Sequence, residues 1–517
     1  MNSSNSHQRT IGGGVQHVLD YLKRMHSESP AFFYAIQGDT EHSNGNIFWA
    51  DGNARMNYNY FGDTVKLDTS YRKNGFRVPF VTFTGLNHHG QPILFGCALL
   101  FDESETSFIW LLQTWLQAMS ARHPLSITTD ADRHIQMAVS QVLPETRHRL
   151  CKWSIIRETK EKLSHIYQIH PTFEIEFNKC INEADTVEEF ESQWGSLVLR
   201  YYLMDNDWLQ SMYNARHHWV PIYLRDTFFG ESFYGEDSDA MNSFFDGILS
   251  ASTTIQLLTK LYEKGITSWH EKELKADFDT NNSTPILKTP SPMEKQAANL
   301  YTRRIFMKFQ AELVETLANP ATKIAESGTT TTYRVSKFGE EHKAHTVRFN
   351  DLEMKANCSC LMFEFSGIIC RHVLSVFRAK NVLTLPSQYI LKRWTRDAKI
   401  SGGVTPDESA LELPNSAQES LTVRYNNLRR EAIKFVEEDM HAGDENQVAP
   451  TDSLVRFLAA QKNEKEKRIH ELTAELDSIN QRCEVYRSNL LAVLKDMEEQ
   501  KLKLSVKVQN ARLSLKE

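Results

Sequence analysis

The chain runs to 517 residues, 41% of them hydrophobic, which leaves room for about two or three domains with real cores. Its net charge of −7 excludes a polycation, so any nucleic-acid contact has to come from local basic patches. Residues 1–10 are polar and carry no signal-peptide core, the apolar runs 92–101 and 108–116 are too short or too polar to span a bilayer, and four of the seven cysteines (Cys97, Cys151, Cys180, Cys483) show no framework spacing, which points to a reducing intracellular compartment.

Residues 1–61 read as an N-terminal helix and a lead-in strand. Thr64-Val65-Lys66-Leu67-Asp68 alternates like a strand half-buried on one face. Two apolar, β-rich runs, 78–85 and 92–101, are joined by the polar Leu86-Asn87-His88-His89-Gly90-Gln91 and predict a hairpin. Residues 107–122 place Phe108, Leu111, Leu112, Trp115 and Met119 at helical spacing, and Pro124 ends the segment. A short strand (125–129), a helix (132–143) and a fifth strand (147–153) follow. Three strands in a meander, then helix, strand, helix, strand, is the order of the ribonuclease H-like fold.

In that fold the first and fourth strands are neighbours, which would set Asp68 opposite Asp130. Two such carboxylates suit a pair of Mg²⁺ ions about 3.5–4 Å apart for in-line phosphodiester chemistry, with a third acid arriving from a later helix. Each Asp fits a strand-terminal turn or a helix cap equally well, and Asp130 is an N-cap candidate for the helix after it. The best basic patch is Arg147, His148, Arg149, Lys152, Arg157, Lys160 and Lys162, a type of cluster that is more often a solvated helix face than a binding site.

Helices at 156–169, 172–181, 186–202 and 208–217 compose an all-helical block. Its aromatics (Trp194, Tyr201, Trp208, Trp219, Phe228, Phe229) are expected in a core rather than stacked on bases. A further helical stretch at 247–275, a three-proline linker at 281–292 and a helix at 297–317 lead on. Thr331–Val335 and residues 346–349 read as two strands with a polar turn around Gly339.

Cys358, Cys360, Cys370 and His372 then appear in C-x-C-x9-C-x-H order. Three thiolates and one imidazole match what a closed, tetrahedral, structural Zn²⁺ site takes, leaving no position for water. The alternative is a pair of buried thiols beside an unrelated histidine. Beyond residue 394 the composition shifts to Gly, Pro, Ser, Asp and Glu at 401–416 and 442–453, around a short helix at 420–440. The last segment carries Ile469, Leu472, Leu476, Ile479, Cys483, Tyr486, Leu490, Val493 and Met497 at spacings of three and four. Such a seam predicts a dimeric coiled coil, with one helix folded back on the body as the other reading.

Several strings in one order carry a resemblance. They include Tyr60-Phe61-Gly62-Asp63-Thr64-Val65, Leu67-Asp68-Thr69-Ser70-Tyr71, Gly85 to Gln91, Thr129-Asp130-Ala131-Asp132, Arg147 to Trp153 and Ala240-Met241-Asn242-Ser243. From about residue 15 to 394 the chain resembles Mutator-like element transposases. It is closest to their plant descendants, the far-red-impaired-response and far-red-elongated-hypocotyl family of transcription regulators, whose SWIM-type zinc finger the Cys/His cluster matches. The resemblance implies Asp239 as the third acid, with Glu236 beside it. Family members have Glu where Asp239 stands and His where Ser154 stands, and both departures imply a vestigial acidic cluster Asp68, Asp130, Asp239 with no active catalysis. Full-length members also carry an N-terminal zinc-binding, DNA-recognising domain. The first cysteine here is Cys97, so a short or truncated member is expected.

The expected architecture is α/β: a ribonuclease H-like (transposase) domain at 62–275 with a helical insertion at about 155–235. A linker and helix (276–330), a SWIM-type zinc module (331–380), a linker with a short helix (381–453) and a coiled coil (454–517) complete it. Three functional classes follow. The first is a nuclear, zinc-binding transcription regulator, dimerising with itself or a relative through the coil, touching DNA and no membrane; its role in plant light signalling is what the resemblance implies. The second is an adaptor or dominant-negative partner that never touches DNA. The third is an active Mg²⁺-dependent transposase.

Overall fold

A computed structural model of the chain describes residues 3–38, 45–69, 79–230, 244–245 and 253–399. All belong to the first of two compact units, Met1–Asn426. Asp239, Glu236, the predicted linkers at 401–416 and 442–453 with the short helix between them, and the predicted coiled coil lie outside the described residues.

Helix α1 (Ser3–Glu28) leads into an antiparallel pair, β1 (Phe33–Ile36) and β2 (Ile47–Ala50), where the sequence had suggested one strand. Asp51 caps α2 (Gly52–Phe61), its carboxylate accepting the Ala54 N–H at 2.7 Å. Then come β3 (Thr64–Asp68), β4 (Phe80–Leu86), β5 (Pro92–Leu99), α3 (Glu105–Ala118), β6 (Ser126–Thr129), α4 (Arg133–Val142) and β7 (Arg147–Leu150). They form a seven-stranded sheet in the order β1-β2-β5-β4-β3-β6-β7. Pairing is antiparallel from β1 to β3 and parallel from β3 through β6 to β7, the parallel joins being those that a helix crosses over.

Both faces of this sheet are covered, which is why β4 and β5 read as near-continuous apolar runs. Phe48, Val65, Phe83 and Phe95 point to one core with α2, α3 and α4, while Trp49, Phe80, Leu94 and Leu99 point to another with α1 and a later long helix. Trp115 anchors the first core, stacked on Phe83 at 4.7 Å and meeting Tyr58 edge-on at 5.3 Å. Full burial of each such side chain contributes about 1.5–3 kcal/mol.

The fifth strand stops at Leu150, short of the predicted 153, because α5 (Lys152–Lys162) begins there and takes Trp153 with it. Helices α6 (Ser164–Ile169), α7 (Phe173–Asn182), α8 (Val187–Arg200) and α9 (Asp207–Asn214) follow around their own core, the predicted 156–169 helix being broken at Leu163. Trp194, Tyr201 and Trp219 are buried in that core and Phe229 beside Phe365, so none of these four is free to stack on bases. The basic patch is also divided. Arg149 turns inward, its Nη2 donating to Thr128 Oγ1 at 3.0 Å and its guanidinium lying 4.3 Å over the Phe229 ring.

Helix α10 (Ile255–Asn282) continues past residue 275, and residues 247–252 of the expected stretch lie outside the described residues. The predicted helix at 297–317 is two, α11 (Pro292–Leu300) and α12 (Arg303–Glu315). The break at Tyr301-Thr302 has a cause: Thr302 Oγ1 donates to the His88 carbonyl at 2.8 Å, and Tyr301 bridges to Thr395. A second sheet, order β11-β10-β9-β8, comprises β8 (Ala321–Ser327), β9 (Thr330–Val335), β10 (His345–Asn350) and β11 (Lys355–Cys358), four antiparallel strands where two were predicted. Short helices α13 (Met362–Ser366) and α14 (Arg371–Ala379) close the module. Among the described residues, no helix is long and apolar enough to cross a membrane.

Candidate metal centre and acidic strand ends

Cys358 ends β11, and a tight turn follows, with Leu361 at φ +54°. Helix α13 then stops at Gly367, φ +73°, a conformation glycine adopts at no steric cost. Cys370 is the N-cap of α14 and His372 sits in its first turn. This path brings the four side chains together: their ligand atoms all lie within 4.8 Å of one another. Cys358 Sγ is 3.7 Å from His372 Nδ1, close to the ~3.5 Å separating thiolate and imidazole ligands across a tetrahedral Zn²⁺.

Backbone amides reinforce the sulfurs. Cys360 N–H approaches Cys358 Sγ at 3.5 Å, and Val373 N–H approaches Cys370 Sγ at 3.4 Å. All three cysteines are free of disulfides and buried. Hydrogen bonds from the Cys358 and Cys370 thiols hold Cys360 well below the ordinary thiol range. The hydrogen bond to Cys360 in turn raises Cys358, while burial raises Cys370. One anion is thus stabilised by its neighbours, and three could coexist only around a cation; the donor set and the enclosure fit zinc.

Sequence reasoning missed what orients this loop. The Arg371 side chain grips Glu312 on α12 with two bonds, Nη2 to Oε1 at 2.6 Å and Nε to Oε2 at 3.0 Å. The same carboxylate accepts the Arg371 backbone N–H at 2.8 Å, tying down the start of α14. No local pattern could have linked residues so far apart in the chain. His345 is a second neighbour, its ring 4.2 Å from that of His372.

At the other site, parallel pairing of β3 with β6 matches Leu67 to Thr129, so the next residue of each strand, Asp68 and Asp130, lies side by side at the strand ends. Asp68 is buried, and Lys66 Nζ lies 3.5 Å from its Oδ2. Asp130 accepts from Thr69 twice, from Oγ1 at 2.5 Å and from N at 3.3 Å. It does not cap α4. Asp132 does, accepting from the amides of His134 and Ile135. Glu158 on α5 was not anticipated: burial, then the Asp130 charge, pushes its carboxyl up. Ser154 is buried near Arg157 Nη2 at 3.5 Å.

Comparison with known proteins bears on both sites. Residues 64–158 match the MULE transposase domain, and residues 339–381 match the SWIM zinc finger. The chain is 57% identical to Protein FAR1-RELATED SEQUENCE 9 of Arabidopsis thaliana, covering 97% of each. It is 51% identical to FAR1-RELATED SEQUENCE 5, over 99% of this chain and 69% of that one. FAR-RED IMPAIRED RESPONSE 1 is 38% identical over 86% of this chain and 53% of its own length.

Proposed function

Because the chain belongs to the FAR1-related sequence family and joins a MULE transposase domain to a SWIM zinc finger, we propose that it is a nuclear transcription regulator of the domesticated-transposase type. The observation that carries this reading is the 57% identity to FAR1-RELATED SEQUENCE 9 over nearly the whole of both chains. The name FAR-RED IMPAIRED RESPONSE 1, borne by a relative 38% identical, supports a place in light-signalling control.

In this reading the strand order β5-β4-β3-β6-β7 supports a ribonuclease H-like sheet retained as scaffold. Lys66 gives Asp68 a cationic partner of its own, and Thr69 holds Asp130, so neither carboxylate depends on Mg²⁺ for compensation. Cys358, Cys360, Cys370 and His372 would hold a zinc ion that supplies folding free energy and no chemistry. Self-association belongs to residues 454–517, and DNA phosphates to the exposed Arg147, Arg157 and Lys162. Tethered upstream of a reporter in plant protoplasts, the protein should change expression; a reporter indistinguishable from the untethered control would end the regulator reading. Light scattering should give a dimer that becomes a monomer when residues 454–517 are deleted.

A second reading, a metal-dependent transposase, is favoured by the adjacency of Asp68 and Asp130, with a further carboxylate, Glu158, that feels the Asp130 charge. Terminal-repeat DNA incubated with Mg²⁺ or Mn²⁺ should stay intact. Nicking that disappears in Asp68→Asn would replace the scaffold with an enzyme.

A further inference from the structure

The β4–β5 loop carries adjacent histidines that neither site above uses. His88 and His89 are both buried at 3% exposure, with ring centroids 4.0 Å apart. Their Nε2 atoms converge on one oxygen: Asp277 Oδ1, on α10, lies 3.0 Å from His88 and 2.9 Å from His89. Asp277 Oδ2 is buried and has no hydrogen-bond partner among the described residues, and neither has His88 Nδ1.

Proton placement at this cluster is awkward for a plain hydrogen-bond network. With its proton on Nε2, His88 would aim the bare Nδ1 lone pair at Glu273 Oε1, 3.9 Å away, acceptor against acceptor. With the proton on Nδ1, that N–H faces Glu273, and the Nε2 lone pair then points at the Asp277 carboxylate. Among the described residues Asp277 has no lysine or arginine partner, since Lys399 Nζ is 2.7 Å from Glu273 Oε1 instead. A cation among the two Nε2 atoms and Asp277 would give both Nε2 lone pairs and the carboxylate a common partner. It also leaves His88 Nδ1–H directed at a carboxylate, as metal-bound histidines commonly are.

We propose that His88, His89 and Asp277 form a second zinc-type site, distinct from the thiolate cluster, with the Glu273 carboxylate facing His88 Nδ1. All three ligand atoms lie within 4.8 Å of one another, and the two nitrogen–oxygen distances fall within a few tenths of the ~3.3 Å expected between N and O donors on tetrahedral zinc. Two imidazoles and one carboxylate suit Zn²⁺, with a fourth position left to Asp277 Oδ2 or water. The site would pin the hairpin loop to α10 where Thr302 and Arg304 already grip the His88 and Gly90 carbonyls.

The test is zinc stoichiometry on the full chain after incubation with excess Zn²⁺ and gel filtration. Wild type should carry two equivalents, and Asp277→Asn and His89→Gln one each, with Cys370→Ser losing the other. One equivalent in the wild type overturns the proposal, as does a second equivalent that survives in both Asp277→Asn and His89→Gln. Cobalt titration of the wild type needs no variant. The proposal expects two bound Co²⁺, only one of which brings thiolate-to-metal charge transfer, and charge transfer accompanying both would overturn it.

Discussion

At Gly367 the backbone stands at φ +73°, and a methyl group there would lie 2.7 Å from Trp394 Nε1 and overlap the Leu391 side chain. Left-handed strain and this overlap act together, so Gly367→Ala should lower the stability of the zinc module by about 1–3 kcal/mol. Urea unfolding would show a lower midpoint; an unchanged one would mean that the loop yields. Residue-level detail is also where the sequence was least explicit. Asp130 and Asp132 look alike as cap candidates, and only the start of α4 at Arg133 decides between them: Asp132 Oδ1 reaches the amides of His134 and Ile135 at 2.9 and 3.3 Å. The metal-ligand quartet was legible because its four members fall in one short stretch. Glu312, His88 with Asp277, and Glu158 were not, since each acts through a partner remote in sequence.

Among the elements, the contact between α12 and the first turn of α14 holds the zinc loop. Replacing Glu312 with Gln removes a buried carboxylate that accepts three bonds from Arg371. Zinc affinity should fall about ten- to a hundred-fold, measured by competition with a chromophoric chelator. Glu315→Gln, at the more exposed end of the same pair, should change it little. The strands best read from sequence are those with a patterned or fully apolar face, β3, β4 and β5. By contrast β8 is exposed along nearly its whole length, so no alternation marks it, and pairing with β9 alone makes it a strand. Helix α11 ends early for a tertiary reason, the Thr302 reach to the His88 carbonyl, which no propensity foretells.

For the molecule as a whole, the two sheets draw on separate cores. Cys358, Cys360 and Cys370 share theirs with Val347, Phe349, Val373 and Phe377, and none of these belongs to the core under β3, β4 and β5. Loss of the thiolate-bound zinc alone, as in Cys370→Ser, should therefore strip hydrogen-exchange protection from β10, β11 and α14 first, while β3 to β5 keep theirs; simultaneous loss in both sheets would show a single cooperative block. The mixed α/β character was readable from composition and period. How the zinc module seats on the larger sheet was not, because it rests on single residues such as Arg393, which pairs with Asp63 and donates to the Leu86 carbonyl at 2.7 Å.

That seat bears on how such a finger can be moved between proteins. The recognisable SWIM segment closes at residue 381, yet Trp394, 1% exposed, completes its interior and bonds the Ser366 carbonyl at 3.1 Å, and Val335 on β9 lies ahead of its start. An excised cassette trimmed to the motif would leave behind both its lid and part of its floor. Recombination among relatives should then preserve function only when the crossover points fall well outside the cysteine-histidine signature.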